Sequence, residues 1–118
     1  RRRNSAANDR SGHYAKNASS GDCATNASSG NRATNASSGY CATNASSGDY
    51  AKNASSGKNS IIACAGLNSK AKMTSGAFAL AFSRPDGTPD FVVGRIGENA
   101  DPNVWYEVRD GKLEKVNV

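Results

Sequence analysis

His13 is the one histidine in this 118-residue chain, so a catalytic arrangement of the Ser-His-Asp or Cys-His kind would have to use it. It stands at a variable position of a repeated sequence, which we interpret as an exposed position rather than that of a catalytic base. Cys23, Cys41 and Cys64 have no Cys-x-x-Cys spacing. This indicates neither a disulfide framework nor a zinc site, and it favours a reducing compartment. We therefore predict that the protein is not an enzyme and that it has no catalytic residue and no cofactor.

Four acidic residues near the C-terminus are of the type that holds a hard cation, namely Asp86, Asp90, Glu98 and Asp101. They lie in segments rich in Pro, Gly and Asn, so we interpret them as solubilising loop residues and predict no metal site. The sequence also lacks the Asp-bearing glycine-rich pattern of calcium-binding rolls.

The net charge of +5 is unevenly placed. Residues 1–76 contain ten Lys and Arg against three Asp, whereas residues 77–118 contain five against seven acidic residues. The basic tail, residues 1–3, could contact phosphate or an acidic surface. No aromatic platform for bases accompanies it, so nucleic-acid binding is not expected. No apolar run approaches the length of a membrane span, and we expect no membrane contact.

A nine-residue sequence recurs through the first half of the chain. The close copies are HYAKNASSG (13–21), DCATNASSG (22–30), NRATNASSG (31–39), YCATNASSG (40–48) and DYAKNASSG (49–57). More divergent copies flank them on both sides, which is typical of terminal repeats. Strict periodicity favours an ordered repeat structure over a disordered linker.

The third residue of every close copy is Ala, with variable and partly charged neighbours. Because side chains alternate across a strand, this pattern predicts a short strand whose alanines face inward. The predicted inward ladder is Ala15, Ala24, Ala33, Ala42 and Ala51. The neighbouring positions are predicted to face outward and to form a candidate binding row: Tyr14, Arg32, Tyr50, Thr25, Thr34 and Thr43.

The remaining Asn-Ala-Ser-Ser-Gly is typical of turns, because Asn tolerates a left-handed conformation and Gly adopts positive φ without steric cost. The predicted turn ladders are Asn17, Asn26, Asn35, Asn44, Asn53, Gly21, Gly30, Gly39, Gly48 and Gly57.

Strand and turn at constant period predict an all-β fold, a parallel β-roll or β-solenoid. Nine extended residues span only about 30 Å, so we predict two repeats per coil rather than one. Small residues at every third place also permit a bundle of polyproline-II-like segments, which the absence of Pro from the array disfavours. A thin alanine-lined rod would be marginally stable, so we expect a homo-oligomer, preferably a trimer.

Residues 58–82, KNSIIACAGLNSKAKMTSGAFALAF, resemble the head repeats of trimeric autotransporter adhesins. The tandem repeats and the ending VWYEVRDGKLEKV (104–116) are similar to bacterial and phage-associated proteins with YSTAASSG-type repeats. These resemblances imply a parallel β-roll, trimeric assembly and a structural or binding role. They imply no catalytic residues.

The composition changes at Ala77. Residues 77–82, 91–96, 105–108 and 112–118 read as four strands, which we predict to form one compact antiparallel sheet that caps the solenoid. The predicted units are thus a basic tail (1–3), a nonapeptide-repeat solenoid (4–76) and a β-strand cap (77–118).

Three functions remain open at this stage. The first is a structural or adhesive solenoid whose partner is itself, with an unknown protein or glycan as ligand. The second is a small phage-type interaction protein that uses the Tyr/Cys/Arg row and the basic tail to bind or inhibit a host factor. The third is an ice-binding protein that uses the Thr row. A cytoplasmic or virion-associated location is expected rather than secretion.

Overall fold

The computed structural model describes residues 7–10 and 12–116, and the predicted basic tail lies outside them. The described residues form twelve strands and no helix. The first six strands are β1 (Ala7–Arg10), β2 (Lys16–Ser19), β3 (Thr25–Ser28), β4 (Thr34–Ser37), β5 (Thr43–Ser46) and β6 (Lys52–Ser55). The last six are β7 (Ser60–Cys64), β8 (Lys70–Met73), β9 (Gly76–Ser83), β10 (Pro89–Arg95), β11 (Trp105–Arg109) and β12 (Lys112–Val116).

The strands build a β-solenoid with two facing sheets. Sheet 1 has the order β1-β3-β5-β7-β9-β10, and sheet 2 has the order β12-β11-β8-β6-β4-β2. Strands from alternate repeats pair in parallel, so that Thr25 lies beside Thr43 and Lys16 beside Thr34. Partners are 18 residues apart, which confirms two nine-residue repeats per coil. The molecule measures 51 × 33 × 22 Å.

Each repeat strand covers Lys/Thr-Asn-Ala-Ser and does not centre on the inward alanine. The strand predicted from sequence, which included the inward alanine, therefore lies too close to the N-terminus of the repeat; the observed strand begins one residue after that alanine. Within the strand, the Asn and the Ser two residues after it face inward, and the Ala between them is half-buried on the outer side, as the burial along β4, β5 and β6 shows. A two-residue turn after each Gly leads into the inward alanine and the next strand.

The prediction that the asparagines occupy turns was wrong. Asn26, Asn35, Asn44 and Asn53 are fully buried strand residues, and Asn17 is nearly so. The Nδ2 of Asn35 donates to the carbonyl oxygen of Ala45 in the opposite sheet (3.0 Å) and to the Asn53 Oδ1 in the next coil (2.9 Å). The interior is narrow enough for an amide to reach the backbone of the facing sheet. Hydrogen bonding inside the core therefore selects Asn at this position.

The repeat glycines also serve a different purpose from the one predicted. No glycine of the close repeats has positive φ; the left-handed residue is the second of each repeat, for example Cys23 (φ 56°) and Arg32 (φ 60°). A Cβ placed on Gly48 would lie 2.1 Å from the carbonyl oxygen of Gly30 one coil earlier. Close approach of stacked backbones requires Gly at this position.

The inward alanines lie between the turns and the strands. Ala24, Ala33, Ala42 and Ala51 are almost completely buried, whereas Ala15 is half-buried in the first described coil of sheet 2. They share the interior with Asn and Ser, so the core of the repeat region is polar as well as apolar.

The polar core gives way to an apolar one toward the C-terminus. Ile62 takes the place of the ladder Asn beside Asn44, and Ala71 does so beside Asn53. The apolar cluster around them is Ile62, Cys64, Ala71, Met73, Phe78, Leu80, Ala100 and Tyr106. Phe78 stacks on Tyr106 with ring centroids 5.6 Å apart.

The four C-terminal strands were predicted to form one compact sheet, but they are divided between the two sheets of the solenoid. β9 pairs in parallel with β7, and β10 folds back on β9 as an antiparallel strand of sheet 1. β11 and β12 form an antiparallel hairpin that joins sheet 2 through the pairing of Tyr106 with Ala71. Each sheet thus receives its own hairpin, because the apolar cluster lies between the sheets and has to be covered from both sides.

Candidate interaction surfaces

The residues considered above for catalysis or for metal binding do not lie together in the structure. His13 lies exposed in a turn. In residues 7–10 and 12–116, no group of three or more His, Cys, Asp or Glu side chains is placed to hold a metal ion.

The four C-terminal acidic residues have separate partners. Asp90 pairs with Arg84, Glu98 with Arg95, and Asp101 with Lys115. Asp86 accepts hydrogen bonds from the backbone and the hydroxyl of Thr88, which lower the pKa of its carboxyl group. The hydrogen bond from Arg84 likewise lowers the pKa of Asp90. Each of the four carboxylates thus has a partner of its own, and they do not converge on one site.

Tyr14, Arg32 and Tyr50 form a column at one corner of the solenoid. Each is the left-handed residue of its turn, with φ of 59–60°. The backbone N–H groups of Tyr14 and Arg32 donate to carbonyl oxygens of the next coil, at 3.0 and 2.8 Å. The three side chains therefore project from equivalent points of consecutive coils. The guanidinium carbon of Arg32 lies 5.0 Å from the centre of the Tyr50 ring, a cation–π contact.

The three threonines of the predicted binding row do not form one row. Thr25 and Thr43 are partners on sheet 1, whereas Thr34 lies on sheet 2 between Lys16 and Lys52. With two repeats per coil, residues nine apart fall on opposite sheets, and only residues 18 apart stack. The predicted row thus combined residues from two different surfaces.

Sheet 2 carries a basic column on its outer side. The column consists of successive partners in the parallel register, Lys16, Thr34, Lys52 and Lys70. Along each strand the next residue is a buried Asn or Ala, so the column itself faces outward. We call the cleft between this column and the Tyr14–Arg32–Tyr50 column the basic corner. It has a volume of about 230 Å³ and is lined by Tyr14, Lys16, Arg32, Thr34, Tyr50 and Lys52.

Sheet 1 has an outer side of a different character. Its outward side chains from β3 to β10 are small or apolar, and none is charged until Arg95 at the end of β10. We call this surface the uncharged face; it comprises Thr25, Ala27, Thr43, Ala45, Ile61, Ala63, Ala77, Ala79, Phe91 and Val93. Ile61, Phe91 and Val93 are 56%, 54% and 50% exposed.

The cysteines divide into two kinds. Cys23 and Cys41 occupy the same turn position of consecutive coils at the corner opposite Tyr14; the first is exposed and the second half-buried. Cys64 is buried in the apolar cluster and accepts a hydrogen bond from the Asn53 Nδ2 (2.8 Å). Burial raises the pKa of its thiol, and the hydrogen bonds offset part of that rise.

No family model matches the chain, and the searches of curated proteins and of solved structures find no match either. Within the part of the chain that the structure describes, no helix has the length and apolar character needed to cross a membrane.

The basic column and the uncharged face were not predicted from the sequence, although the 18-residue spacing of the lysines was present in it. Lys52 and Lys70 are 18 residues apart, and Lys16 is twice that distance from Lys52, so the predicted coil length places them in one column. The uncharged face could be recognised only in part. Phe91 and Val93 join it through the antiparallel return of β10, and no repeat marks that return.

Proposed function

We propose that the protein is a non-enzymatic structural β-solenoid that associates with a second copy of itself through the uncharged face. The observation that carries this proposal is the exposure of Ile61, Phe91 and Val93, each half exposed or more, on one surface where, from β3 to β10, Arg95 at the end of β10 is the one charged outward side chain. Contiguous exposed apolar surface of this kind marks interaction sites in soluble proteins.

The distribution of charge supports a second copy as the occupant. The basic column of Lys16, Lys52 and Lys70 lies on sheet 2, on the opposite side of the solenoid. Two copies that meet through their uncharged faces keep these columns far apart. Salt screening over about 8–10 Å removes most of the remaining repulsion.

The relief of the face also suits contact between two sheets. Ala27, Ala45, Ala63 and Ala79 form a row of small side chains along successive strands. Sheets pack face to face about 10 Å apart, with strand directions within about 30° of each other. Phe91 and Val93 stand at one end of the row and can serve as anchors against the partner.

The size of the face sets the expected affinity. Five strands about 4.8 Å apart, each with two outward residues, give a patch of roughly 300 Å². A stable complex buries about 800 Å² on each partner. We therefore expect a weak, concentration-dependent pair. The trimer suggested by the sequence needs two contact surfaces on each copy, whereas one self-complementary face forms a pair.

The test is sedimentation velocity from low micromolar to submillimolar protein. The wild-type chain is expected to shift from monomer to dimer as concentration rises. The double variant Ile61→Lys/Phe91→Lys should remain monomeric at every concentration, because it places charge on the central strand of the face and on the strand at its C-terminal end. Thermal unfolding of the variant checks that the fold is retained.

Leu67→Lys provides the matched control, since Leu67 is an exposed apolar residue in a turn outside the uncharged face. It adds charge without touching the face and should dimerise like the wild type. A wild-type chain that stays monomeric throughout, or a double variant that dimerises equally well, would overturn the proposal. A trimer that the double variant abolishes would keep the face but overturn the pairwise arrangement.

We do not propose ice binding. The row of threonines that suggested it is divided between the two sheets, and Ile61 follows Thr25 and Thr43 in the column that remains.

A further inference from the structure

The basic corner combines two columns that run along the solenoid axis. Tyr14, Arg32 and Tyr50 follow one another on consecutive coils, as do Lys16, Thr34 and Lys52 beside them. Consecutive coils are about 4.8 Å apart, the usual spacing of paired strands. The surface therefore presents aromatic and cationic groups at regular intervals along a line.

The positive charges of this corner are not neutralised by the protein. No ion pair among the described residues involves Lys16, Arg32 or Lys52. Asp49 is the one acidic residue in the adjoining turns, and its Oδ1 accepts a hydrogen bond from the backbone N–H of Leu67. Lys52 also stands beside Lys70 in register, an arrangement of like charges that destabilises a sheet. An anionic ligand would relieve this repulsion.

Space for an elongated ligand continues across the same side of sheet 2. Beside the basic corner lies a shallow groove of about 430 Å³, with a floor formed by Ala18, Ala36 and Ala54. Lys72 borders this groove, with its Nζ 5.3 Å from the centre of the Trp105 ring. The cationic and aromatic character thus extends toward the C-terminal hairpin.

The order of residues along the axis indicates the kind of polymer. A coil with a Tyr and a Lys (Tyr14, Lys16) is followed by one with Arg32 and Thr34, and then by another with a Tyr and a Lys. Within these three coils the Tyr–Lys pair recurs after two coils, about 10 Å, and the following coil, with Asn68 and Lys70, departs from the alternation. That distance is comparable with the length of one disaccharide of an extended polysaccharide. A nucleic acid instead presents the same phosphate and base at every nucleotide.

We propose that the basic corner binds an acidic polysaccharide in which carboxylate-bearing sugars alternate with neutral ones, lying along the solenoid axis. The tyrosine rings pack against the apolar faces of sugar rings. Lys16 and Lys52, which are two coils apart, bind the carboxylates through charge-assisted hydrogen bonds, and Arg32 and Thr34 between them hydrogen-bond the hydroxyl groups of the neutral sugar. This binding does not depend on self-association, because the uncharged face belongs to the other sheet.

The experiment measures binding by isothermal titration calorimetry with four probes. They are an alternating glucuronate–N-acetylglucosamine polymer, polygalacturonate with a carboxylate on every sugar, neutral dextran, and single-stranded poly-dT. The expected order of affinity places the alternating polymer first and dextran last, with affinity for the alternating polymer falling as salt rises.

A pair of double variants separates the corner from general charge attraction. Tyr50→Ala/Lys52→Ala removes one aromatic ring and one charge from the basic corner, and it should weaken binding of the alternating polymer about tenfold. Tyr40→Ala/Lys58→Ala makes the same change in composition and net charge at the opposite corner, where both residues are exposed turn residues. It should change the affinity less than twofold.

Three results would overturn the proposal. One is an affinity for the alternating polymer no higher than that for dextran. Another is an equal loss in the two double variants, which would show attraction by net charge alone. Tighter binding of poly-dT than of the alternating polymer would assign the corner to nucleic acid.

Discussion

The Nδ2 of Asn35 lies 2.9 Å from the Oδ1 of Asn53, the equivalent residue of the next coil. In the same way the Nδ2 of Asn17 donates to the Oδ1 of Asn35 at 3.0 Å. The amide of Asn35 also donates to the carbonyl oxygen of Ala45 across the interior. One side chain thus joins its coil to both neighbouring coils and to the facing sheet, and polar contacts inside the solenoid hold the coils together alongside the buried methyl groups.

Asn35→Ala should therefore destabilise the protein strongly. The substitution leaves the buried Oδ1 of Asn53 without its donor and removes one of two acceptors of the buried Asn17 amide, which keeps the carbonyl oxygen of Ala27. Each unsatisfied buried group costs about 1–3 kcal/mol, so we expect a loss of about 3 kcal/mol in the free energy of unfolding. Urea denaturation followed by circular dichroism measures it.

Asn31→Ala is the control for this prediction. Asn31 is an exposed turn residue whose Oδ1 accepts a hydrogen bond from the Asp49 backbone. Water can replace that bond, so the loss should stay below about 1 kcal/mol. Equal losses in the two variants would mean that the interior ladder contributes no more than a surface turn.

Gly48→Ala should prevent normal stacking of the coils. Its Cβ would meet the carbonyl oxygen of Gly30 at 2.1 Å and the backbone nitrogen of Asn31 at 2.9 Å. These are backbone atoms that cannot rotate away, so we expect a loss of about 3 kcal/mol or more. The melting temperature measured by calorimetry records it.

Gly12→Ala changes the same repeat position where a Cβ meets nothing within 4 Å. Its effect should stay within about 0.5 kcal/mol. If Gly48→Ala melts at the same temperature as Gly12→Ala, close backbone approach is not the reason for glycine at this position.

The coil length and the solenoid class could be predicted because they depend on period alone. A repeat of nine that is too short to close a coil implies two per coil, and the pairing of Thr25 with Thr43 follows directly. The inward position of Ala33 could be predicted because a residue kept small among variable neighbours indicates a restricted space.

The role of Asn could not be predicted from its propensity. In isolation Asn favours turns, but here the facing backbone is close enough for Asn26 to donate to the carbonyl oxygen of Ala36 at 2.8 Å. That proximity is a tertiary property which no local pattern contains. The left-handed conformation of Tyr14 and Arg32 was missed for a related reason, since residues of this kind rarely adopt it outside a turn that imposes it.

Ala33→Glu tests the width of the interior. Ala33 is fully buried, so the substitution places a carboxylate in a space that holds a methyl group. We expect a loss of more than about 4 kcal/mol, enough to prevent folding. Ala36→Glu, on the outward side of β4, the strand that begins directly after Ala33, should change stability by less than about 1 kcal/mol. One-dimensional proton NMR of the two variants distinguishes a folded chain from an unfolded one, and a dispersed spectrum for Ala33→Glu would contradict the inward assignment.

Cys64 should differ from the other two thiols in both reactivity and pH dependence. It is buried, whereas Cys23 is exposed and Cys41 half-buried, so a thiol reagent at neutral pH should modify two cysteines per folded chain and three after denaturation. Burial raises the pKa of Cys64 above its ordinary value of 9.0. Above that pH the thiol ionises in the unfolded chain but stays neutral in the folded one, so the unfolded state binds fewer protons and stability falls as pH rises. Cys64→Ala removes this contribution, and its stability should decline less steeply above pH 9.0 than that of the wild type. Parallel slopes for the two proteins in urea denaturation, or labelling of all three thiols in the folded chain, would show that Cys64 is not enclosed by the apolar cluster.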